Sequence, residues 1–442
     1  MSELSTVPIL PLDIIENIVD ILKNDAKGLQ YVKAFSLTCQ SFLPFCRKHI
    51  FSTIRVKVGN SGSSTKLRTG EAFEQLLLGT PAIAKYVRQL NIRIMQKRHS
   101  CSGYSFDQVS RQMTGLQFLI VSLWRQSPIY SLNWNNLSSS LQRSLLNLMH
   151  LPTLSHLGLE TILNFPISNL TTCTNLKHLS LENLHINAEY DKASSSLLYE
   201  PIQLQALDIN ISGSAMLILL LPSYGQPVLE FSGLEKISIQ LDCGWRDAAV
   251  PTREIFRKAK RLTDICIKGN EILNIWFTGW SPFFFIVDVD DTGFRAMQFA
   301  LMITPSLQTL RRIKWNFGSG HRLNDDLLVG LCDELEDISR ENILESIEIQ
   351  IYVDTDERCH TGAEWGRLEK VLLKSGWPML THVSLAIVLN SWSKRRIDSP
   401  FGKALKRLPK TQFSGLMSSK TLDFRFSVEE LRIYVDLCDR IF

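Results

Sequence analysis

One pattern restricts this chain more than any other. An aliphatic residue, two spacers, a second aliphatic, one spacer and a third aliphatic recur along most of its 442 residues. Val87, Leu90, Ile92; Leu154, Leu157, Leu159; Leu176, Leu179, Leu181; Leu204, Leu207, Ile209; Leu234, Ile237, Ile239; Leu262, Ile265, Ile267; Leu344, Ile347, Ile349; and Leu380, Val383, Leu385 all follow it. A single triplet means little in a chain that is 45% hydrophobic. The beat carries the information: the first positions of the five consecutive units from Leu154 to Leu262 lie 22, 28, 30 and 28 residues apart. Thr174 and Asn175 before Leu176, and Pro378 before Leu380, put turn or polar residues just ahead of the pattern. Each unit therefore reads as a loop entering a short strand.

A period of about 20 to 29 residues is that of leucine-rich repeats, in which each unit buries its apolar face only by stacking on a neighbour. Helical candidates lie between the strands, at residues 324–340, 363–375 and 428–442. Later intervals lengthen, with 45 residues from Leu262 to Leu307, so an irregular α/β solenoid is expected, its parallel strands side by side in sequence order along a concave face. A compact doubly wound sheet uses the same alternation of elements, and strand order separates the two. Spacers between buried aliphatics must point away from the core. Lys177, His178, Ser180, Gln205, Asp208, Lys236, Ser238, Asp264, Lys268, Glu348 and Gln350 are thus candidates for contact with a target protein.

Ahead of the repeats stand an apolar head at residues 7–58 and a Gly/Ser/Thr-rich linker at 59–70, with 71–442 forming the repeat domain. In the head, Pro11 suits a first helical position. Leu12, Ile14, Ile15, Ile18, Val19 and Leu22 then form a helical stripe, with Asp13, Glu16, Asn17 and Asp20 facing elsewhere. A second stripe, Phe35, Leu37, Phe42, Leu43 and Phe45, ends near Pro44, and a strand-like run follows through Phe51, Ile54, Val56 and Val58. A head of about fifty residues is too small to hide so many large aliphatics within itself. Leftover apolar surface marks a partner interface.

The run Leu10-Pro11-Leu12-Asp13-Ile14-Ile15, continuing to Leu22, followed by Phe35-Ser36-Leu37-Thr38-Cys39-Gln40-Ser41-Phe42, resembles an F-box. The chain departs from that pattern at Phe42, where Trp is usual, and at Ile14, where an acid is usual. Together with the repeats it looks like the F-box and leucine-rich-repeat proteins common in fungi. The resemblance implies a substrate receptor of a Skp, cullin and F-box ubiquitin ligase, which holds a target near the ubiquitin-loaded enzyme and performs no chemistry itself. It implies that Leu10, Pro11, Ile14, Ile15, Ile18, Leu22, Leu37, Phe42 and Leu43 meet the Skp adaptor, Leu10 and Pro11 starting the first helix and Leu37, Phe42 and Leu43 supplying the second. A repeat scaffold whose N-terminal helices merely cap the solenoid is the alternative, and it requires the same surface to be buried.

Other classes find little support. The 48 basic and 44 acidic residues leave a net charge of +4, too weak a surplus for nucleic-acid binding by bulk electrostatics. Nine cysteines, an odd number with no Cys-x-x-Cys pair, argue against a disulfide framework or zinc ribbon and for a reduced compartment, cytoplasm or nucleus. No signal peptide is evident, and the longest apolar stretch, at residues 276–289, falls short of the roughly 20 needed to span a bilayer. No glycine-rich phosphate loop, His-Glu-x-x-His or Gly-x-Ser-x-Gly occurs, so neither an enzyme nor a cofactor or metal is expected. Cys359-His360 beside Asp354, Asp356 and Glu357 reads as a polar loop, and the aromatic run Trp276 to Phe285 as core beneath an insertion. The basic segment Lys394 to Lys410 reads as a solvated loop.

Overall fold

The computed structural model describes residues 11–25, 27–58, 69–95, 107–123, 132–184, 200–210, 216, 219–220, 227–241, 245–269, 299–319, 328, 330–339, 341–353, 361–391 and 399–432. They fall into two compact units, one of residues 11–123, 132–165 and 169–176, the other of 166–168 and 177–432.

The first unit opens with three helices, α1 (Leu12–Lys23), α2 (Gly28–Ser36) and α3 (Leu43–Ile50), and a 3-10 turn at Gln40–Phe42. Pro11 sits outside α1 with extended ψ of 143°, rather than in its first turn, and its carbonyl accepts from the Ile14 and Ile15 amides. Pro44 opens α3 instead of ending a helix, because a first-turn residue has no intrahelical partner for an amide proton. Leu37, Phe42 and Leu43 therefore do not form a second helix. Leu37 follows the end of α2, Phe42 lies in the 3-10 turn and Leu43 begins α3. Val19, Val32 and Cys46, one from each helix, make the head's core, with Leu22, Phe35, Phe42, Phe45 and Ile50 packed round it. Phe42 stacks on Phe35 with ring centroids 4.7 Å apart and planes 9° from parallel.

Gly28 makes this packing possible. A Cβ there would stand 2.0 Å from the Lys23 carbonyl oxygen and 2.8 Å from that of Leu22, so α2 begins directly against the end of α1. Backbone cannot yield as a flexible side chain can. Gly28→Ala is expected to destabilise the head by about 1–3 kcal/mol, read as a lowered melting temperature.

Beyond the head, β1 (Thr53–Val58), β2 (Gln89–Ile94) and β3 (Phe118–Leu123) pair in parallel, followed, after the two-residue β4 (Leu132–Asn133), by β5 (His156–Glu160). β4 pairs with β6 (Ile162–Leu163) in a separate ribbon. The strand-like run in the head is thus the first rung of the sheet. Helices α4 (Thr69–Gly79), α5 (Asp107–Ser110) and α6 (Ser139–Met149) lie between rungs.

The second unit continues the scheme with β7 (His178–Glu182), β9 (Ala206–Asn210), β11 (Lys236–Leu241), β12 (Asp264–Gly269), β13 (Arg312–Ser319), β14 (Ser346–Val353), β15 (His382–Ser391) and β16 (Asp423–Arg432). All pair in parallel with their sequence neighbours, while β8 (Ile202–Gln203) and β10 (Leu229–Glu230) form a small ribbon. No strand is permuted in either unit, so the chain has the repeat fold rather than a doubly wound one.

Register explains the triplets. Leu207 stands between Leu179 and Ile237, Ile209 between Leu181 and Ile239, and Ile347 and Ile349 oppose Val383 and Leu385. Every member of the eight triplets is at most 8% exposed, so within each unit successive rungs stack a continuous core. Entry to most rungs is locked the same way. One carbonyl accepts two consecutive amides of the next unit: Lys177 from Gln205 and Ala206, Gln205 from Glu235 and Lys236, Glu235 from Thr263 and Asp264. The polar lead-ins add side-chain bonds, as Thr153 donates to the Leu116 carbonyl and Thr309 to that of Leu262.

Three sequence expectations need correction. The unit after Leu262 begins at Leu310, not Leu307, because Ile265 and Ile267 pair with Ile313 and Trp315, and Trp fills the third aliphatic place. Residues 428–432 extend β16 instead of starting a helix: Leu422, Phe424, Phe426 and Val428 keep a period of two, and β15 offers ten paired positions. Lys403, Lys406, Arg407 and Lys410 belong to the amphipathic helix Pro400–Thr411, which buries Phe401, Leu405 and Leu408, rather than to a loop. Helices Leu331–Ile338 and Ala363–Leu372 fall within their expected spans. The Trp276 to Phe285 run, the Cys359-His360 cluster, residues 59–68 and Lys394 to Arg396 lie outside the described residues.

Candidate functional site

Packing of three short helices around a small core leaves much of the head's apolar surface uncovered. Leu12 is 59% exposed, Ile21 72% and Leu37 87%, with Ile14, Leu29 and Tyr31 also exposed. Ile14 shares the open surface with Pro11. Ile15 is 2% exposed and belongs wholly to the interior, while Ile18, Leu22, Phe42 and Leu43 are half-buried. Leu22 and Phe42 spend that burial on the Val19, Val32 and Cys46 core. Of the nine residues expected to meet an adaptor, Pro11, Ile14 and Leu37 are therefore open to contact, and Leu10 lies outside the described residues. Ile21, Leu29 and Tyr31 were not singled out from sequence. Only the packing of α2 against α1 shows which side each helix leaves bare.

The spacer face is polar and extensively self-paired. His178 on β7, Asp208 on β9, Lys236 and Ser238 on β11, and Asp264 and Lys268 on β12 occupy neighbouring rungs of one strip, with Lys177 and Gln205 on the turns leading in. Asp208 reaches Lys268 at 3.7 Å, Asp264 pairs with Arg312, and Lys314 with Glu348 at 3.0 Å. Burial lowers the pKa of His178, and Lys236 and Lys177 lower it further, so its ring is neutral at pH 7. Ser180, Glu348 and Gln350 share this half-exposed face.

Among the described residues, no group of three or more His, Cys, Asp or Glu could hold a metal ion. No described helix is long and apolar enough to cross a membrane. Cys39, Cys46, Cys173, Cys266 and Cys332 are free thiols. Burial raises the thiol of Cys173 to about 12, so that side chain is an inert core residue.

No protein-family model matches the sequence, and no curated protein matches it. Among solved structures, the chain is similar to one described as Rad7 and Elc1 complex in yeast, at 13% identity and a TM-score of 0.37, covering 88% of this chain and 90% of that one. It is also similar to an internalin from Listeria monocytogenes, at 12% identity and a TM-score of 0.29, covering 83% of this chain and 90% of that one.

Proposed function

We propose that the protein is the substrate-recognition subunit of a Skp, cullin and F-box ubiquitin ligase, with the three-helix head as its F-box and the repeats as its target-binding part. The observation that carries this reading is the exposure of Leu12, Ile14, Ile21, Leu29, Tyr31 and Leu37 on one small head. Helices serving only as a cap would have buried that surface against the first repeat. A target protein would lie on the spacer strip from Lys177 to Lys268, where polar side chains stand on a rigid sheet. Bringing target and ubiquitin-loaded enzyme together raises their effective concentration, which needs no catalytic group in this chain.

The test is capture of a purified Skp-type adaptor, alongside a melting curve for each variant. Truncating a central apolar anchor costs about 2 kcal/mol or more, so Leu12→Asp combined with Leu37→Asp should weaken adaptor binding by at least about thirtyfold. Both side chains are largely exposed, and the melt should stay within a degree or two. Ile15→Ala, in the interior, should lower the melting temperature. Undiminished capture by the Leu12, Leu37 double variant would overturn the reading.

A further inference from the structure

Three segments of the first unit, far apart in sequence, bring basic side chains to one cavity of about 540 Å³. Lys23 comes from the end of α1, Lys48 and His49 from α3, and Lys85 and Arg88 from the turn before β2, with Gly115 on the turn before β3. No carboxylate is in the lining. Glu16 pairs with Lys48 at 2.7 Å and Asp20 with His49 at 3.0 Å, both from α1. Lys23, Lys85 and Arg88 have no carboxylate partner among the described residues.

The hydrogen bond from Glu16 raises the pKa of Lys48 and keeps it charged, with Arg88 opposing, while burial lowers the pKa of His49, Asp20 raises it, and Lys23 and Lys48 lower it further. Arg88 is held in place: its guanidinium donates to the Gly115 carbonyl at 2.9 Å, and a Cβ on Gly115 would fall 2.1 Å from its Nη1. Only glycine lets that planar group lie so close. Lys23 complements the C-terminal dipole of α1, Arg88 donates to the Gly115 carbonyl, and Lys85 lies over the Tyr86 ring, 5.1 Å from its centroid. Lys23, Lys85 and Arg88 are open to solvent, and a multiply charged anion in the cavity would face all three with no carboxylate in the lining.

We propose that this cavity binds a compact phosphate polyanion, through Lys23, Lys85 and Arg88, and that the bound anion ties the helical head to the first repeats. Three cations without a carboxylate partner match an anion of about three charges. The volume lies within the usual range of about 300–1,000 Å³ for small-ligand sites, and guanidinium and ammonium groups together suit phosphate oxygens. Because α1, α3 and the turns before β2 and β3 all border the site, binding stabilises their mutual packing.

Inorganic tripolyphosphate is the probe, titrated into the full chain at fixed ionic strength by calorimetry and by thermal melting. At a hundredfold excess over its Kd it should raise the melting temperature by about 5 °C. Lys23→Gln with Lys85→Gln should leave the ligand-free melt unchanged and weaken binding at least tenfold. Gly115→Ala, which displaces Arg88, should weaken binding too. A free phosphorylated metabolite and a lipid headgroup present the same chemistry. Binding of tripolyphosphate without sedimentation on vesicles containing phosphoinositide would point to the first, and sedimentation with those vesicles, but not with phosphatidylcholine alone, to the second. No binding at millimolar tripolyphosphate would overturn the proposal. An equal melting shift from sulfate, or from tripolyphosphate on the double-Gln variant, would overturn it as well. Adaptor capture by the double-Gln variant is measured separately, so failure here leaves the ligase reading untouched.

Discussion

Trp315→Ala is expected to cost about 3–5 kcal/mol, the range for removing a large aromatic from a packed interior. Trp315 is 1% exposed and stands in register between Ile267 and Ile349, where its neighbouring rungs carry an aliphatic. Its ring meets Phe299 edge-on at 5.5 Å, and Phe299 meets Phe256 at 6.4 Å in the same manner. Deleting the indole would remove apolar area, an aromatic contact and the support of Phe299 at once. Trp315→Leu, which restores the aliphatic of the repeat, should lose distinctly less. Equilibrium denaturation of the three proteins measures both differences. Equal losses for Ala and Leu would show that the aromatic cluster, rather than the volume at the rung, holds this part of the core.

A second large effect is expected at Glu334. Its side chain is 7% exposed and accepts from the Ala300 amide at 2.7 Å, so one carboxylate joins helix Leu331–Ile338 to the start of the segment Phe299–Ile303. Glu334→Ala leaves that buried amide without an acceptor, at about 1–3 kcal/mol, and adds a cavity. Glu334→Gln keeps the acceptor. Burial raises the carboxyl pKa above its ordinary value, opposed by the amides of Ala300 and Phe299, with Asp337 and Asp333 raising it slightly further. Between the ordinary and the raised value the folded protein takes up a proton that the unfolded chain does not. The carboxyl's contribution to stability is therefore greatest at low pH and declines as pH rises through that window. Relative to wild type, the Gln variant should thus gain stability from pH 4 to pH 7, while the Ala variant remains destabilised throughout. Melting curves at several pH values check both, and a Gln variant that loses ground as pH rises would contradict the account.

These two sites also mark where sequence reasoning stopped. The Leu-x-x-Leu-x-Leu triplets were legible because a strand repeats every two residues and a stacked rung must bury the same positions each time; both are local constraints. Leu116, Leu119 and Val121 obey the same rule and form the rung at β3, yet were not picked out. Trp315 hid its rung by substituting an aromatic for an aliphatic of the same role. Glu334 carried no signal, because an acidic residue on an amphipathic helix reads as solvated until the amide it accepts from is folded against it.

The head divides along the same line. Its sequence alone determined that Leu12 to Leu22 would form a helix with more apolar surface than fifty residues can hide, and the repeat beat alone determined an ordered parallel sheet. Tertiary structure decided the rest. Ile15 points inward and Ile14 outward although they are adjacent and equally apolar, because the packing of α2 and α3 covers one side of α1 and leaves the other bare. The order of the strands and the meeting of Lys23, Lys85 and Arg88 at one cavity were likewise settled by contacts between residues far apart in the chain, which no local period records.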